Sequence, residues 1–340
     1  MTPATRAWIA DPADLALARE QARAACAELG WPEVQREEVV ICASELARNI
    51  LDHGGGHGEL LVEAEPARGS VRLEARDKGP GLDPGRAGAS RAGLLGGGLG
   101  GGLGGGVSGG LGQGLATLGR LMHTTELSFA PGRGTRVVSR RWRGARGRPR
   151  VVSLNRPCQG EEVSGDEVLV EALGEGYRLA VIDGLGHGRA AAEAATATAG
   201  ALRERAGEPL LAAVQAAHAA SAGTRGSALL ALDLAPLGPL EALGVGNVRA
   251  TVYRRGGGHE SVASRTGILG GPGELPRLAL QRLAWTPGAA LVVASDGISS
   301  RGLRELRADE LLRDPVGAAL RLFGEHAIAR DDATLLVAVG

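Results

Sequence analysis

Glu45 and Asn49 stand four residues apart, so on a helix a carboxylate and an amide lie one turn from each other. An amide oxygen is a suitable hard ligand for Mg²⁺, and a carboxylate beside it could orient or deprotonate an attacking hydroxyl. On their own the two would be an ordinary solvated helix face. Asp77 follows a strand pattern and precedes Gly79 and Gly81. There a carboxylate can accept from an exocyclic amino group, and the glycines let backbone approach a ring. A second glycine run, with Gly110, Gly112 and Gly114, leads into a helix, whose free N–H groups favour phosphate. Either run alone is a weak signal. With Glu45 and Asn49, in this order, they predict a site for a nucleotide and magnesium.

The second half carries a different set: Asp183-Gly184-Leu185-Gly186-His187-Gly188, then Ser295-Asp296-Gly297, then Asp331-Asp332-Ala333-Thr334. Asp183 and Asp296 each close an apolar strand pattern, and Asp331 and Asp332 stand just before a third. Carboxylates at strand ends can converge at one edge of packed sheets, and Gly184 leaves room for its carbonyl to face a cation. Two cations bridged by such carboxylates would activate water for in-line attack on a phosphate. Singly, each Asp would be a turn residue or strand terminator.

The elements that must hold these residues are readable in outline. Asp11-Pro12 reads as the capped start of a helix that Gly30 closes. A second helix spans about 33–52, where Val39, Cys42, Leu46 and Ile50 recur at steps of three and four as one buried stripe. Strands are expected near 59–65, 70–76, 124–129 and 135–141, with a helix over 115–122. Residues 93–114 are nearly all Gly and Leu, and their place between a strand-end loop and a helix suits a lid better than a linker. Beyond the basic run at 140–150, read as a solvated linker, strands are expected near 167–173, 177–182, 228–234, 241–245, 248–254, 290–294 and 334–339. Helices are expected over 189–205, 209–222 and 316–326. The pattern predicts an α+β protein of two domains, 1–143 and 154–340, joined by a basic linker over 144–153.

Composition narrows the setting. The 340 residues suffice for two domains with their own cores. Lys plus Arg and Asp plus Glu both number 38, so no net field draws the chain to nucleic acid or to an anionic membrane. Cys26, Cys42 and Cys158 are too few and too scattered for a disulfide framework. The N-terminus has no basic-then-apolar segment, and no stretch nears the ~20 apolar residues of a membrane helix. A cytoplasmic location is expected.

In the motifs SELARNI (44–50), ARDKGPGL (75–82), SGGLGQGL (108–115), GRLM (119–122) and GRGTRV (132–137), the chain resembles the Bergerat-fold ATPases. More narrowly it resembles the RsbT-type serine/threonine switch kinases of stressosomes. The resemblance implies an α/β sandwich that binds ATP. Asn49 would hold Mg²⁺, Glu45 would serve as general base, and Asp77 would contact adenine. Gly79, Gly81, Gly110, Gly112 and Gly114 would shape the pocket, with Thr135 on its adenine side. The expanded Gly/Leu repeat upstream of Ser108 departs from the family pattern.

From about 152 onward, DGLGHG, SDG and DDATLL together resemble the type-2C metal-dependent protein serine/threonine phosphatases of the SpoIIE branch. The segment Gly244–Val248 is most similar to the RsbX feedback phosphatases. That resemblance implies an αββα sandwich holding two Mn²⁺ or Mg²⁺ by Asp183, the Gly184 carbonyl, Asp296 and either Asp331 or Asp332. Asp166 would hold a water in the metals' shell, and His187 would help near the phosphate rather than ligate. The expectation is a kinase fused to its opposing phosphatase, acting on STAS-domain stressosome or anti-sigma-antagonist proteins. The alternatives are a nucleotide-binding docking module, or an anti-sigma kinase, joined to an active phosphatase.

Overall fold

The computed structural model describes residues 4–88, 111–145, 147–271, 275, 277–304 and 306–340. The expected lid falls almost wholly outside them, as do Ser108 and Gly110. The chain divides into two compact units, Met1–Gly144 with Val316–Glu325, and Ala145–Pro315 with His326–Gly340. Both mix helices with largely antiparallel sheet, so the protein is of the α+β class.

In the first unit, strands β1 (Thr5–Ile9), β2 (Gly58–Glu65), β3 (Ser70–Asp77), β4 (Thr124–Ala130) and β5 (Gly134–Trp142) form a sheet in the order β1-β2-β3-β5-β4. Helices α1 (Asp14–Glu28) and α2 (Glu33–His53) pack across β1, β2 and β3, and α3 (Leu111–Leu121) packs on α2. The alternating burial of β2 follows from that single helical layer. Leu60 and Val62 face the helices, where Leu46 and Ile50 of α2 are also fully buried. The other face is an ion-pair lattice in which Arg72 meets Glu63 and Arg140 meets Glu126. Segment Val316–Glu325 also belongs to this unit, with Phe323 meeting Phe129 edge to face at 5.5 Å.

The second unit places α4 (Arg189–Glu204) and α5 (Leu210–Ala220) over a sheet containing β7 (Asp166–Leu173), β8 (Gly176–Gly184), β9 (Ser227–Leu234) and β10 (Gly238–Val245). The facing sheet contains β6 (Arg150–Arg156), β11 (Arg249–Arg254), β15 (Ala289–Ala294) and β16 (Ala333–Val339). Short strands β12 (His259–Ser261), β13 (Ser264–Arg265) and β14 (Gln281–Trp285) extend the edges, and helix α7 (Ala308–Arg313), which follows α6 (Ser300–Arg304), lies on β15 and β16. The layers therefore run helix, sheet, sheet, helix. Strands β15 and β16 are buried at every position, which is why they read as unbroken apolar runs. Among the described residues no helix is long and apolar enough to cross a membrane.

Local differences from the sequence reading have identifiable causes. The first helix begins at Asp14 rather than beside Asp11. Asp14 Oδ2 accepts the Ala10 and Asp11 amides, and Asp11 serves the turn before the helix by accepting from Ala13. Strand β1 was not anticipated, because only two of its five residues, Ala7 and Ile9, are buried. The basic run is not a solvated tether. Arg141 lies in β5 and binds Glu38 and the Leu121 carbonyl, while Arg148 is buried against the Gly174 and Gly176 carbonyls. Charge there hid structure, because Arg150 and Arg156 bracket strand β6, whose Val151, Val152 and Leu154 are buried.

Candidate active sites

Helix α2 and the turn after β3 build the first site. Leu46, Asn49, Ile50, Asp77, Gly81, Leu115, Thr135 and Val137 are among the residues lining a cleft. Its walls are mainly apolar and its polar groups few, a combination that fits a flat heterocycle. Asp77 Oδ1 accepts the Gly79 amide at 2.9 Å and the Thr135 amide at 3.1 Å, so β5 and the glycine turn fix one carboxylate between them. Burial raises this carboxyl above its ordinary value, against the pull of the two amides. Gly81 sits at φ +82°, and a side chain there would run into the Ala130 carbonyl.

Gly114 joins the second glycine run to Glu45 and Asn49. A Cβ on Gly114 would stand 3.0 Å from Glu45 Oε2 and 3.1 Å from Asn49 Oδ1, so α3 rests directly on the two polar groups of α2. Gly112 is buried in the first turn of the same helix. Asn49 Nδ2 is buried without a hydrogen-bond partner among the described residues, which marks an amide that waits for one. Glu45 is half-buried, with Arg48 at 3.8 Å. Gly114→Ala is expected to hold or raise the melting temperature, since Ala favours a helix by about 1 kcal/mol over Gly. The added methyl should nevertheless weaken Mg²⁺-nucleotide binding about tenfold, a cost of ~1.4 kcal/mol. Parallel thermal melts and nucleotide titrations check both halves; unchanged affinity would refute the contact's importance.

The second site forms where strand ends of the two facing sheets meet. Asp166 and Asp183 are cross-strand partners in the β7–β8 register, an arrangement of like charges that costs stability unless something offsets it. Burial pushes the Asp166 carboxyl up to about 7, with Asp332 and Asp296 adding repulsion against hydrogen bonds from Ser295 and Thr334. Burial also drives Asp183 well above the carboxylate range, and the charges of Asp166, Asp296 and Asp331 act in the same direction. Asp331 is raised by burial and by Asp296. The four carboxylates therefore sense one another. Asp296 Oδ2 accepts from Asn247 at 2.6 Å, which holds the turn after β15. Gly184 ends β8, and its N–H donates to the Gly165 carbonyl at 3.1 Å.

Asp331 and Asp332 differ sharply in surroundings. Asp332 is 3% exposed. Its Oδ1 accepts the Cys158 amide at 2.8 Å and its Oδ2 the Gly165 amide at 2.9 Å. Asp331 is half-buried, and its Oδ1 accepts only the adjacent Asp332 amide in the described contacts. Arg156 donates to the Ile328 and Asp331 carbonyls and so secures the turn that carries them. The buried strap of Asp332 predicts that Asp332→Ala destabilises the chain by about 2–4 kcal/mol, because two buried amides lose their acceptor. Denaturant unfolding measures this, and a loss below ~0.5 kcal/mol would contradict it.

Of the expected residues, Asn49, Asp77, Gly81 and Thr135 line the cleft, Gly79 binds Asp77, and Gly114 faces Glu45 and Asn49, while Gly112 is placed only in the first turn of α3 and Gly110 lies outside the described residues. His187 pairs with Glu161 at 2.7 Å. Sequence reasoning missed Arg225, exposed with Nη1 3.0 Å from where a Gly186 Cβ would stand, and the clamp on Asp332. No motif announces a backbone amide, so the clamp had no sequence signal.

The family described as the histidine kinase-like ATPase domain matches residues 9–140. The serine/threonine-protein kinase RsbT of Bacillus subtilis (strain 168) is 32% identical over 135 residues, covering 38% of this chain and 89% of RsbT. Of solved structures, one described as the bacterial stressosome, a modular system adapted to control secondary messenger signaling, is 27% identical with a TM-score of 0.48. It covers 56% of this chain and 98% of its own. RsbX in complex with magnesium is similar at 20% identity and a TM-score of 0.48, over 56% of this chain and 94% of that one. With Asn49 and Asp77 lining one cleft, Glu45 and Gly114 beside Asn49, and RsbT matched over most of its length, residues 9–140 make this chain a member of the histidine kinase-like ATPase family.

Proposed function

We propose that the chain operates both directions of a phosphorylation switch. Kinase chemistry is assigned to residues 1–143 and phosphatase chemistry to 154–340, with 144–153 between them. The first transfers the γ-phosphoryl group of ATP to a serine or threonine hydroxyl. The second hydrolyses phosphoserine or phosphothreonine in the same pathway. The partner class, STAS-domain proteins of the stressosome or anti-sigma-antagonist type, follows from the resemblance to RsbT-type switch kinases. ATP as phosphate source sets the switch in the cytoplasm.

In the kinase half, the second oxygen of Asp77 accepts from the adenine amino group while the Gly79 and Thr135 amides hold the first. Asn49 would offer its amide oxygen to Mg²⁺. Glu45 takes the proton of the attacking hydroxyl as its oxygen bonds to the γ-phosphorus, the bridging P–O bond breaks and ADP departs. Gly112 and Gly114 bring the start of α3 against the phosphates.

The observation that carries the phosphatase half is the convergence of Asp166, Asp183 and Asp331 on Asp296, whose charge adds to burial in raising the proton affinity of the other three. Asp166 Oδ2 is also buried with no hydrogen-bond partner among the described residues. An all-oxygen, mutually repelling set of this kind fits hard divalent cations. Bound there, Mn²⁺ or Mg²⁺ would activate water and neutralise charge on the phosphate. Asp183, the Gly184 carbonyl, Asp296 and Asp331 would hold the ions. Asp166 would orient water from behind Asp183, and Asp332 would position Asp331 through the backbone. Arg225, beside Gly186 of the loop after Asp183, would be the cation that meets the phosphate dianion. Phosphate release from a phosphoserine STAS protein, compared with release from small phosphate esters, tests this half. Manganese-dependent release from the protein is expected; turnover of small esters alone would make it a metabolic phosphatase instead.

A further inference from the structure

Cys158, Glu161 and His187 bring a thiol, a carboxylate and an imidazole together, with one potential ligand atom from each lying within 4.8 Å of the other two. None of the three belongs to the aspartate set above. We propose that this trio is a separate metal site, selective for a borderline-soft divalent cation of the Zn²⁺ class over Mg²⁺ or Mn²⁺.

The donor set is the first argument. Thiolate and imidazole suit zinc, whereas the neighbouring all-oxygen aspartates suit magnesium and manganese. Three protein ligands leave a fourth tetrahedral position for water or an incoming group. Ligand atoms around tetrahedral zinc stand about 3.3–3.8 Å apart for bonds of about 2.0–2.3 Å, so the 2.7 Å His187–Glu161 pair would part slightly to admit an ion while atoms up to 4.8 Å apart draw in.

The scaffold is the second. Cys158 and Glu161 share one turn after β6, closed by the Glu161 amide donating to the Cys158 carbonyl at 3.2 Å. His187 arrives on the loop after β8, and its Nδ1 already meets Glu161 Oε1 at 2.7 Å. An exposed His–Glu pair by itself contributes only about 0–1 kcal/mol, and it does not account for a thiol placed beside it. Cys158 is 7% exposed and its amide is gripped by Asp332, so the sulfur is the fixed member. Glu161 and His187 are more accessible, at 33% and 63% side-chain exposure, and are free to close on an ion from the solvent side. The backbone fixing of Cys158 supplies the outer support that metal ligands require.

The test uses the full-length chain, fully reduced, in excess Mg²⁺ to fill the oxygen site, titrated with Co²⁺ as a spectroscopic stand-in for Zn²⁺. One equivalent of Co²⁺ is expected to produce a thiolate-to-cobalt charge-transfer band in the near ultraviolet, which Zn²⁺ then bleaches. Cys158→Ser should abolish the band. His187→Gln and Glu161→Gln, both at accessible positions where folding is not at stake, should shift the titration to higher Co²⁺. A chain that binds no Co²⁺, or binds it without the band, overturns the proposal. So does a band that survives Cys158→Ser, or one that neither His187→Gln nor Glu161→Gln weakens, which would leave Cys158 a lone thiolate.

Discussion

Asp183→Asn is expected to abolish phosphatase turnover while making the metal-free chain more stable. Its activity should fall by more than the ~100-fold that loss of an outer-shell partner costs a metal site. The stability effect follows from the direction of the shift. A carboxyl whose pKa is raised on folding contributes stability that is complete below the ordinary carboxylate range and is lost as pH rises through the folded value. Asp183 and Asp166 are both raised, Asp166 to about 7, so the metal-free chain should lose stability steadily from about pH 4 to pH 8. Asparagine removes one charge of the cluster and should recover on the order of 1–3 kcal/mol at pH 8. For a domain of this size that is about 2–4 °C of melting temperature per kcal/mol. At pH 5 the gain should shrink toward zero. Mn²⁺ should stabilise the unaltered chain most at high pH, where it no longer competes with protons, and should have little effect on the variant. Melts with and without chelator across this range are the check. A variant less stable than its parent at pH 8 without metal would mean that the aspartates do not repel one another as described.

Glu45→Gln should leave nucleotide binding intact and cut phosphoryl transfer by ~10²–10⁴-fold, the usual contribution of a positioned base. Glutamine keeps the length and polarity of the side chain beside Gly114 but cannot accept the proton of the attacking hydroxyl. Asn49→Ala should behave differently, losing magnesium-dependent nucleotide affinity itself. The pair separates the two roles assigned to adjacent turns of α2. Transfer that survives Glu45→Gln would reduce Glu45 to a positioning group, its carboxylate merely steadied by Arg48.

What could be read from the residues was what repeats or stands at an end. Val39, Cys42, Leu46 and Ile50 are all buried, so the stripe that located α2 also fixed which face carries Glu45 and Asn49. Asp183 and Asp296 were visible because each ends an apolar run that no solvent interrupts. Placement across the chain was not visible. Nothing local to Gly114 says that its α-carbon rests on Glu45 and Asn49, because that contact arises only when α3 docks on α2. The division of labour between Asp331 and Asp332 was likewise hidden, since it depends on amides of Cys158 and Gly165 brought over by tertiary folding. Strand β6 was masked by its own flanking arginines, whose charge suggested solvent where the backbone is paired with β16.

Opposed chemistry on one chain is tested most directly by the steady-state label on a STAS-domain protein incubated with γ-labelled ATP, Mg²⁺ and Mn²⁺. Unaltered protein, Glu45→Gln and Asp183→Asn are compared in parallel. Low, turning-over label with the unaltered chain, none with Glu45→Gln and full accumulation with Asp183→Asn is the predicted result. If no form transfers label although each binds ATP, the first unit is a nucleotide-dependent docking module and the kinase half of the account is wrong.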